Sequence, residues 1–510
     1  MLARVTSCAT VGIEGLLVAV EADLGAGLPT FTIVGLPDAA VRESRERVLA
    51  ALRNCGFEFP ARRITVNLAP AHVRKEGARF DLPIAVAILL ASGQIPGGAP
   101  VHDGVFLGEL ALDGAVRPVR GVLAVLAAAR RAGRAPVWVP AGNEREARAY
   151  PIVPSVGLRS LSDLRGDAPR ADPGIRADAP PPDAPAGPDA PGEPAPDLAD
   201  VRGQALARRA LEVAAAGGHN LLFVGPPGGG KTMLARRLPG ILPPLTDEEA
   251  IEVSTIHSVA GRLPPGAGIL REPPFRAPHH SISDVGLVGG GRGPLPGEAS
   301  LAHRGVLFLD ELPEFRRNAI EALRQPLEEG AITIARAGAS VSFPASFSLV
   351  GAMNPCPCGF HGHDARRCRC DAARIAAYWS KVSGPILDRI DLTLEVAAVP
   401  MDDLFAGAGG EPSSAVRAPN VRARAAASAR TPGRPRNAAL AARELARAAP
   451  LDDASRRLLA RAAASLGITA RGVVRTRRVA RTIADLAGSE IVRAEHVAEA
   501  LQYRAVVGPR

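Results

Sequence analysis

An eight-residue segment, Gly225-Pro-Pro-Gly-Gly-Gly-Lys-Thr232, indicates phosphate chemistry. It matches the pattern G-x-x-x-x-G-K-[ST], in which backbone N–H groups surround phosphate oxygens, the lysine neutralises phosphate charge and the hydroxyl binds Mg²⁺. Lys231 is one of three lysines in a chain whose other basic residues are arginines, and a compact ammonium fits between two phosphates better than a planar guanidinium. We predict that this phosphate loop binds ATP through Gly225, Pro226, Pro227, Gly228, Gly229, Gly230, Lys231 and Thr232.

Two adjacent carboxylates indicate the hydrolytic part of the site. The segment Gly305-Val-Leu-Phe-Leu-Asp310-Glu311 is apolar until its acidic end. Downstream of a phosphate loop, such a pair is expected to divide the work: Asp310 and Thr232 hold Mg²⁺, and Glu311 polarises the attacking water. A buried strand with an acidic end is the alternative interpretation.

Three further residues are candidates for contacts with the γ-phosphate. Asn354 ends an apolar stretch and is expected to orient the water, with a turn or cap residue as the alternative. Arg389 is expected to act in trans on a neighbouring subunit's site, or else to form a local ion pair with Asp388 or Asp391. Arg471 opens an arginine-rich helix and is expected to reach the γ-phosphate in cis, a role for which Arg475, Arg478 and Arg481 compete.

Four cysteines form a second candidate site. Cys356, Cys358, Cys368 and Cys370 make two C-x-C pairs. Their thiolates would complete a tetrahedral site for structural Zn²⁺, in which His361 or His363 could replace a thiolate; free buried thiols or a redox pair are the alternatives. The adjacent His279 and His280 diverge on a strand or a helix, so a structural or nucleotide-sensing role is favoured over a shared metal.

The composition of the chain indicates four segments, which together must position these residues. Residues 1–165 alternate β-rich and helical runs, and residues 166–197, rich in Ala, Pro and Asp, are predicted to be a disordered linker. Residues 198–400 alternate strands and helices around the phosphate loop, which is typical of a parallel α/β sheet. Residues 401–510 have helical periodicity and predict a helical lid.

Charge indicates a polyanionic partner. From Pro412 to Arg510 the chain has 19 Arg against 7 Asp and Glu, within a net charge of +9 overall. A polyanion such as nucleic acid is the expected partner, and a solvated helical face together with arginines that serve ATP is the alternative. No apolar run reaches the ~20 residues that span a membrane and no signal-peptide pattern is present, so no membrane contact and a cytoplasmic location are expected.

The order of these motifs resembles the AAA+ ATPases. The chain is further similar to the magnesium-chelatase-like AAA+ family of the YifB/ComM type in the segments Phe275-Arg-Ala-Pro-His-His-Ser-Ile-Ser283, Leu323-Arg-Gln-Pro-Leu-Glu328, Asn354-Pro-Cys-Pro-Cys-Gly359 and Val479-Ala-Arg-Thr-Ile-Ala-Asp485. It departs from that family at the long Pro-rich linker and around Thr431-Pro-Gly-Arg-Pro-Arg436.

The resemblance implies a homo-oligomeric motor, a hexamer, which binds ATP and Mg²⁺ and receives Arg389 from the adjacent subunit. It implies a DNA helicase or translocase that promotes branch migration in recombination or natural transformation. A hairpin over residues 331–343 would then project Arg336 toward DNA in a central pore, although a solvated turn arginine is an equal alternative. Two other functions remain open: a chelatase-type ATPase that remodels a protein partner, and an ATP-gated DNA-binding ring.

Residues 74–83 and 108–133 resemble the S5-type α+β fold of Lon proteases. The positions of the Ser nucleophile and the Lys base would fall at Arg79 and near Leu123, so the catalytic dyad is missing and peptidase activity is not expected. The domain is expected to stabilise the ring or to contact DNA.

Overall fold

A computed structural model of the chain describes residues 1–165, 196–264, 267–291, 293–336, 339–362, 367–397, 399, 410–434 and 436–504. These residues form two units. The first takes its described residues from 1–191 and 247–270, and the second from 192–246 and 271–510. Most of the predicted linker over residues 166–197 lies outside the described residues.

A seven-stranded mixed sheet, in the order β3-β4-β2-β1-β5-β8-β9, forms the first unit. β1 pairs antiparallel with β2, and β2 with β4, while the remaining neighbours are parallel. A separate hairpin joins β6 to β7. The strands are β1 Leu2–Val11, β2 Glu14–Gly25, β3 Thr30–Val34, β4 Arg63–Ala69, β5 Val105–Phe106, β6 Glu109–Leu110, β7 Val116–Arg117, β8 Val137–Pro140 and β9 Ser155–Leu158.

Helices cover this sheet. Asp81–Ala91 is apolar all round, and its residues except Leu90 are buried, as expected for a helix in the interior of a core. The others are Ala39–Arg42, Ser44–Asn54, Ala99–His102, Val122–Arg131, Glu144–Arg148 and Asp247–Ala260, with 3₁₀ turns at Ala78–Phe80, Ala141–Asn143 and Leu161–Leu164.

The helix Asp247–Ala260 belongs to the first unit, although it lies within the residues that composition assigns to the ATPase core. The hydroxyl of Ser258 donates a hydrogen bond to Glu146, and the Ser258 carbonyl accepts one from Gly121 N at 3.2 Å. Burial raises the pKa of Glu146. Sequence periodicity detects the helix but carries no information about which core receives it, which explains the difference.

The second unit contains a five-stranded sheet in the order β11-β14-β17-β10-β18, and every pair in it is parallel. This sheet confirms the predicted α/β class. β10, β14 and β17 are buried along their whole length, as expected of parallel strands covered on both faces. The strands are β10 Leu221–Val224, β11 Phe275–Arg276, β14 Val306–Leu309, β17 Ser348–Met353 and β18 Leu392–Glu395.

Two hairpins extend from this sheet. One joins β12 Gly289–Gly290 to β13 Leu295–Pro296, and the other joins β15 Ala331–Arg336 to β16 Ala339–Pro344. The helices of the core are Ala205–Gly217, Lys231–Ile241, Asp284–Val288, Glu298–Leu301, Arg317–Ala322, Arg324–Glu329, Ala372–Ser380 and Gly384–Leu387, with 3₁₀ turns at Leu198–Asp200 and Leu312–Glu314.

The C-terminal part is helical, as its periodicity predicts. Its helices are Ser413–Arg430, Ala442–Ala448, Asp453–Leu466, Ala470–Leu486 and Ala494–Gln502, with a 3₁₀ turn at Asn437–Ala439. The first of them ends directly before Thr431, where the sequence departs from its expected family. Among the described residues, no helix combines the length and apolar character needed to cross a bilayer.

Candidate nucleotide site

The phosphate loop follows β10, which lies between β17 and β18, and leads into the helix Lys231–Ile241. Lys231 folds back over the loop: its Nζ donates to the carbonyls of Gly225 at 2.7 Å and Pro226 at 2.9 Å, and to Asn354 Oδ1 at 3.2 Å. Burial lowers the pKa of Lys231, and the nearby charge of Asp310 opposes that shift. An ammonium held by neutral oxygens is ready to exchange them for phosphate oxygens.

Asn354 reaches Lys231 because β17 is the neighbour of β10. The two strands pair in parallel from Leu221 to Val224, so the residues that follow them emerge at the same sheet edge. Gly225 N also donates to the carbonyl of Met353 at 3.2 Å. This arrangement places the amide beside the position that a terminal phosphate would occupy on the loop.

The predicted magnesium ligands are also in contact. Thr232 Oγ1 donates to Asp310 Oδ2 at 2.6 Å. Asp310 directly follows β14, which pairs with the other side of β17. A hydroxyl and a carboxylate are oxygen ligands of the kind that Mg²⁺ takes in phosphate sites, so this pair fits the cation.

Glu311 directly follows Asp310 and has an unusual backbone conformation. Its φ is 52°, in the left-handed region that non-glycine residues rarely adopt. Its side chain is 62% exposed, and its Oε2 lies 3.3 Å from His280 Nδ1. The expected divergence of His279 and His280 is wrong: neither residue lies in a strand or a helix, and their ring centroids are 4.1 Å apart. Nδ1 of His279 contacts Ser281. The two imidazoles therefore have different partners. The partner of His280 is Glu311, the candidate catalytic glutamate.

Arg389 lies in a different place. It forms an ion pair with Glu328, and neither predicted partner, Asp388 nor Asp391, takes that role. Asp391 instead contacts His219 Nδ1 at 3.3 Å and Asn220 N at 3.2 Å, and Asp388 contacts Arg475 at 3.2 Å. The partner of Arg389 differs from the expected one because Glu328, which is distant in sequence, is brought to Arg389 by the fold.

Arg389 and Arg471 line one cavity of about 760 Å³. No residue of the phosphate loop is among its described lining residues. The structure thus brings these two arginines together, and it separates both from the group around Lys231 within this chain.

The three arginines that compete with Arg471 have partners of their own. Arg475 donates to the carbonyl of Ile390 at 3.2 Å, Arg478 donates to that of Leu440 at 2.8 Å, and Arg481 donates to those of Ser489 and Glu490. Burial lowers the pKa of Arg478 and of Arg481. Arg471 is exposed, which leaves it accessible from outside the chain.

Comparison with known proteins gives the family. Three family models match: "Magnesium chelatase, subunit ChlI" over residues 197–404, "Subunit ChlI of Mg-chelatase" over 20–143, and "Magnesium chelatase, subunit ChlI C-terminal" over 410–504. The chain is 44% identical to competence protein ComM of Haemophilus influenzae, over 99% of this chain and 98% of that protein. The chain belongs to the magnesium-chelatase-like ComM/YifB family.

Other relatives cover the chain equally well. It is 46% identical to an uncharacterized protein of Mycobacterium tuberculosis, over 99% of this chain and 98% of that protein. It is 41% identical to YifB of Escherichia coli, over 98% of this chain and 96% of that protein. These matches confirm the ComM/YifB resemblance that the sequence motifs indicate.

Three of the four segments that carry this ComM/YifB resemblance form contacts around the candidate site residues of the second unit. Residues 275–283 bring His280 to Glu311, and residues 323–328 bring Glu328 to Arg389. Residues 354–359 bring Asn354 to Lys231. Sequence reasoning noticed His280 but not its partner, and it missed Glu328; their positions in family segments were the signal available.

The four cysteines of the C-x-C pairs also come together in this ComM/YifB family member. Their Sγ atoms all lie within 4.8 Å of one another, and Cys356 is buried while the other three are partly exposed. His363, between the pairs, lies outside the described residues, and His361 is exposed. The cluster therefore fits a metal through thiolates alone.

Proposed function

We propose that this protein is an ATP-hydrolysing AAA+ motor that acts on DNA as a homo-oligomeric ring. In this proposal a hexamer works as a helicase or translocase on single-stranded or branched DNA, in recombination or natural transformation. The relative named competence protein supports the biological setting. The contact of Lys231 with Asn354, next to that of Thr232 with Asp310, is the observation that carries the proposal.

The chemistry follows from these contacts. Lys231 would exchange its carbonyl partners for phosphate oxygens of ATP, and Thr232 and Asp310 would hold Mg²⁺, which would neutralise charge on the phosphates. Asn354, released from Lys231, faces the γ-phosphate and orients the water. Glu311 accepts a proton from that water as it attacks, and ADP and phosphate leave.

The cavity of Arg389 and Arg471 supports a ring. Neither arginine contacts the phosphate loop of its own chain among the described residues, yet a hydrolytic site gains from cations that neutralise charge in the transition state. We assign both to the nucleotide of the next subunit, so that Arg389 exchanges Glu328 for phosphate oxygens when subunits assemble. This assignment replaces the expectation that Arg471 acts in cis.

The DNA assignment is supported by exposed positive charge. The helix Asp453–Leu466 exposes Arg456, Arg457 and Arg461, in the part of the chain with the 19-to-7 excess of arginine over acidic residues. The hairpin of β15 and β16 has Arg336 as its last residue before the tip; the side chain of Arg336 and residues 337–338 lie outside the described residues. Phosphate contacts of this kind bind DNA without regard to sequence.

ATP hydrolysis measured with and without DNA tests the proposal. Forked and branched duplexes should raise turnover, and strand displacement should require ATP. If no DNA raises turnover, the motor does not act on DNA. Turnover that rises without strand displacement would indicate an ATP-gated DNA-binding ring.

A chelatase-type remodelling ATPase is the second candidate. Three family models named for a magnesium chelatase subunit match most of the chain, which supports this function. This function would require a protein partner to raise ATP turnover, with DNA leaving the rate unchanged. The same assay therefore separates the two candidates.

A further inference from the structure

We propose that Cys356, Cys358, Cys368 and Cys370 bind one Zn²⁺ ion and that this metal site supports the phosphate loop. The Sγ of Cys356 lies 3.3 Å from that of Cys358 and 3.7 Å from that of Cys368, and Cys358 and Cys368 are 3.6 Å apart. A tetrahedral site with Zn–S bonds of about 2.3 Å places sulfur atoms about 3.8 Å apart. The observed spacing is close to that of a tetrathiolate site.

The spacing does not fit a disulfide. A disulfide holds its sulfur atoms about 2.05 Å apart, and all four cysteines are free. Soft thiolate ligands in tetrahedral geometry select Zn²⁺ over hard cations such as Mg²⁺. The exposed sides of Cys358, Cys368 and Cys370 leave a path by which the ion enters.

The cysteine loop is connected to the nucleotide site along the chain. Cys356 follows Asn354 after a single residue, Pro355, whose carbonyl accepts a hydrogen bond from Trp379 Nε1 at 3.0 Å. Cys356 and Trp379 are both part of the hydrophobic core beside β14 and β17. The first metal ligand is thus anchored next to the residue that contacts Lys231.

A second connection runs through space. A methyl group built at Gly359 would lie 2.7 Å from Cδ of Pro227, so the backbone after Cys358 packs closely against the phosphate loop. A metal that fixes Cys356 and Cys358 therefore fixes the chain directly before this contact. Zinc holds the loop and Asn354 in the geometry that phosphate binding requires.

The metal site is tested first by its zinc content. Full-length protein purified from zinc-supplemented cells should contain about one zinc per chain by elemental analysis. The double substitution Cys358→Ser/Cys368→Ser should abolish this content, and Cys55→Ser, at a partly exposed cysteine of the other unit, should leave it unchanged. Cobalt(II) added to the wild-type apoprotein should show the absorption of tetrahedral thiolate ligation, which does not depend on a variant that folds.

The coupling between the cysteine loop and the phosphate loop rests on the nucleotide binding proposed above. The proposal that the cysteines bind a metal does not rest on it. Gly359→Ala keeps all four thiolates but inserts a methyl group against Pro227. It should retain zinc and bind a fluorescent ADP analogue about tenfold more weakly. Gly362→Ala is the matched control, because Gly362 has a similar φ of 78° against 85° for Gly359 and no atom within 4 Å of an added methyl group.

Each failure has a distinct meaning. Wild-type protein with little zinc and no thiolate cobalt spectrum would overturn the metal site. Zinc retained by the double cysteine variant would overturn these ligands. Equal ADP affinity in Gly359→Ala and Gly362→Ala, with wild-type protein that binds ADP, would overturn the coupling. If wild-type protein binds zinc but no nucleotide, the proposed function fails while the metal site stands.

Discussion

Nδ1 of His280 lies 3.3 Å from Oε2 of Glu311, the proposed catalytic carboxylate of the candidate nucleotide site. Glu311 has the positive φ of 52° that non-glycine residues seldom adopt, and conformations of this kind concentrate at functional sites. A carboxylate that is engaged by an imidazole is less available to an attacking water. If Glu311 acts in hydrolysis as proposed, this contact is expected to lower the basal rate.

His280→Ala is expected to raise ATP hydrolysis in the absence of DNA. Because an exposed polar contact contributes up to about 1 kcal/mol, the basal rate should rise about two- to fivefold. The ratio of DNA-stimulated to basal turnover should fall by the same factor. The control is His279→Ala, which removes the neighbouring ring but leaves the contact with Glu311 intact. An unchanged basal rate in the His280 variant would exclude a restraining role.

Glu311→Gln is expected to separate binding from hydrolysis. The amide cannot accept the proton of the attacking water, so turnover should fall about 10²- to 10⁴-fold. The contacts of Lys231, Thr232 and Asp310 do not involve this side chain, so ATP should still bind and should persist in the oligomer. Steady-state turnover and retained radiolabelled ATP measure the two effects.

Glu314→Gln is the matched control for that experiment. Glu314 is a nearby exposed carboxylate that pairs with Lys381 at 3.2 Å. This variant should hydrolyse ATP at the wild-type rate. Normal hydrolysis by the Glu311 variant would show that another group accepts the proton.

The sequence predicts those residues of the candidate site that follow directly from the ends of the parallel strands. Lys231, Asp310 and Asn354 each follow an apolar run, and parallel strands direct the ends of such runs to one sheet edge. The ion pair of Arg389 with Glu328 and the place of the helix Asp247–Ala260 were not predictable in this way. They depend on which elements pack together, and local periodicity does not record that.

Arg389 provides a test of the ring. Arg389→Ala alone should lose about 10³-fold or more in turnover if the arginine stabilises transition-state charge. Lys231→Ala should be inactive because it no longer binds the phosphates. Mixed oligomers of the two variants should recover part of the activity, since a site formed by Lys231 of one chain and Arg389 of the other is complete.

The matched control for Arg389→Ala is Arg434→Ala, at another arginine of the same cavity, which pairs with Glu444. That variant should keep most of its turnover. Absence of any recovery in the mixed oligomers, with subunit exchange verified, would show that Arg389 acts within its own chain.

Arg336→Ala tests the pore hairpin. If Arg336 contacts one DNA phosphate, the substitution should weaken binding uniformly across sequences and reduce the slope of log K against log salt by about one. Fluorescence anisotropy over a salt series measures both quantities. Lys381→Ala, at an exposed basic residue of the second unit that pairs with Glu314, is the control. Unchanged affinity and slope would remove the phosphate contact.

Asp485→Ala is expected to destabilise the C-terminal helices. The carboxylate is 2% exposed, accepts hydrogen bonds from Arg430 and from Asn437 at 2.7 Å, and forms an ion pair with Arg481 at 3.0 Å. Its removal leaves buried guanidinium charge without its carboxylate, which costs about 3–5 kcal/mol. Hydrogen exchange in the helix Ala470–Leu486 measures the free energy of local unfolding, which should fall by that amount.

Asp453→Ala removes a carboxylate that is 81% exposed and 3.7 Å from Arg456, so it should change that free energy by less than about 1 kcal/mol. Equal effects of the two substitutions would show that the contacts of Asp485 do not stabilise this helix.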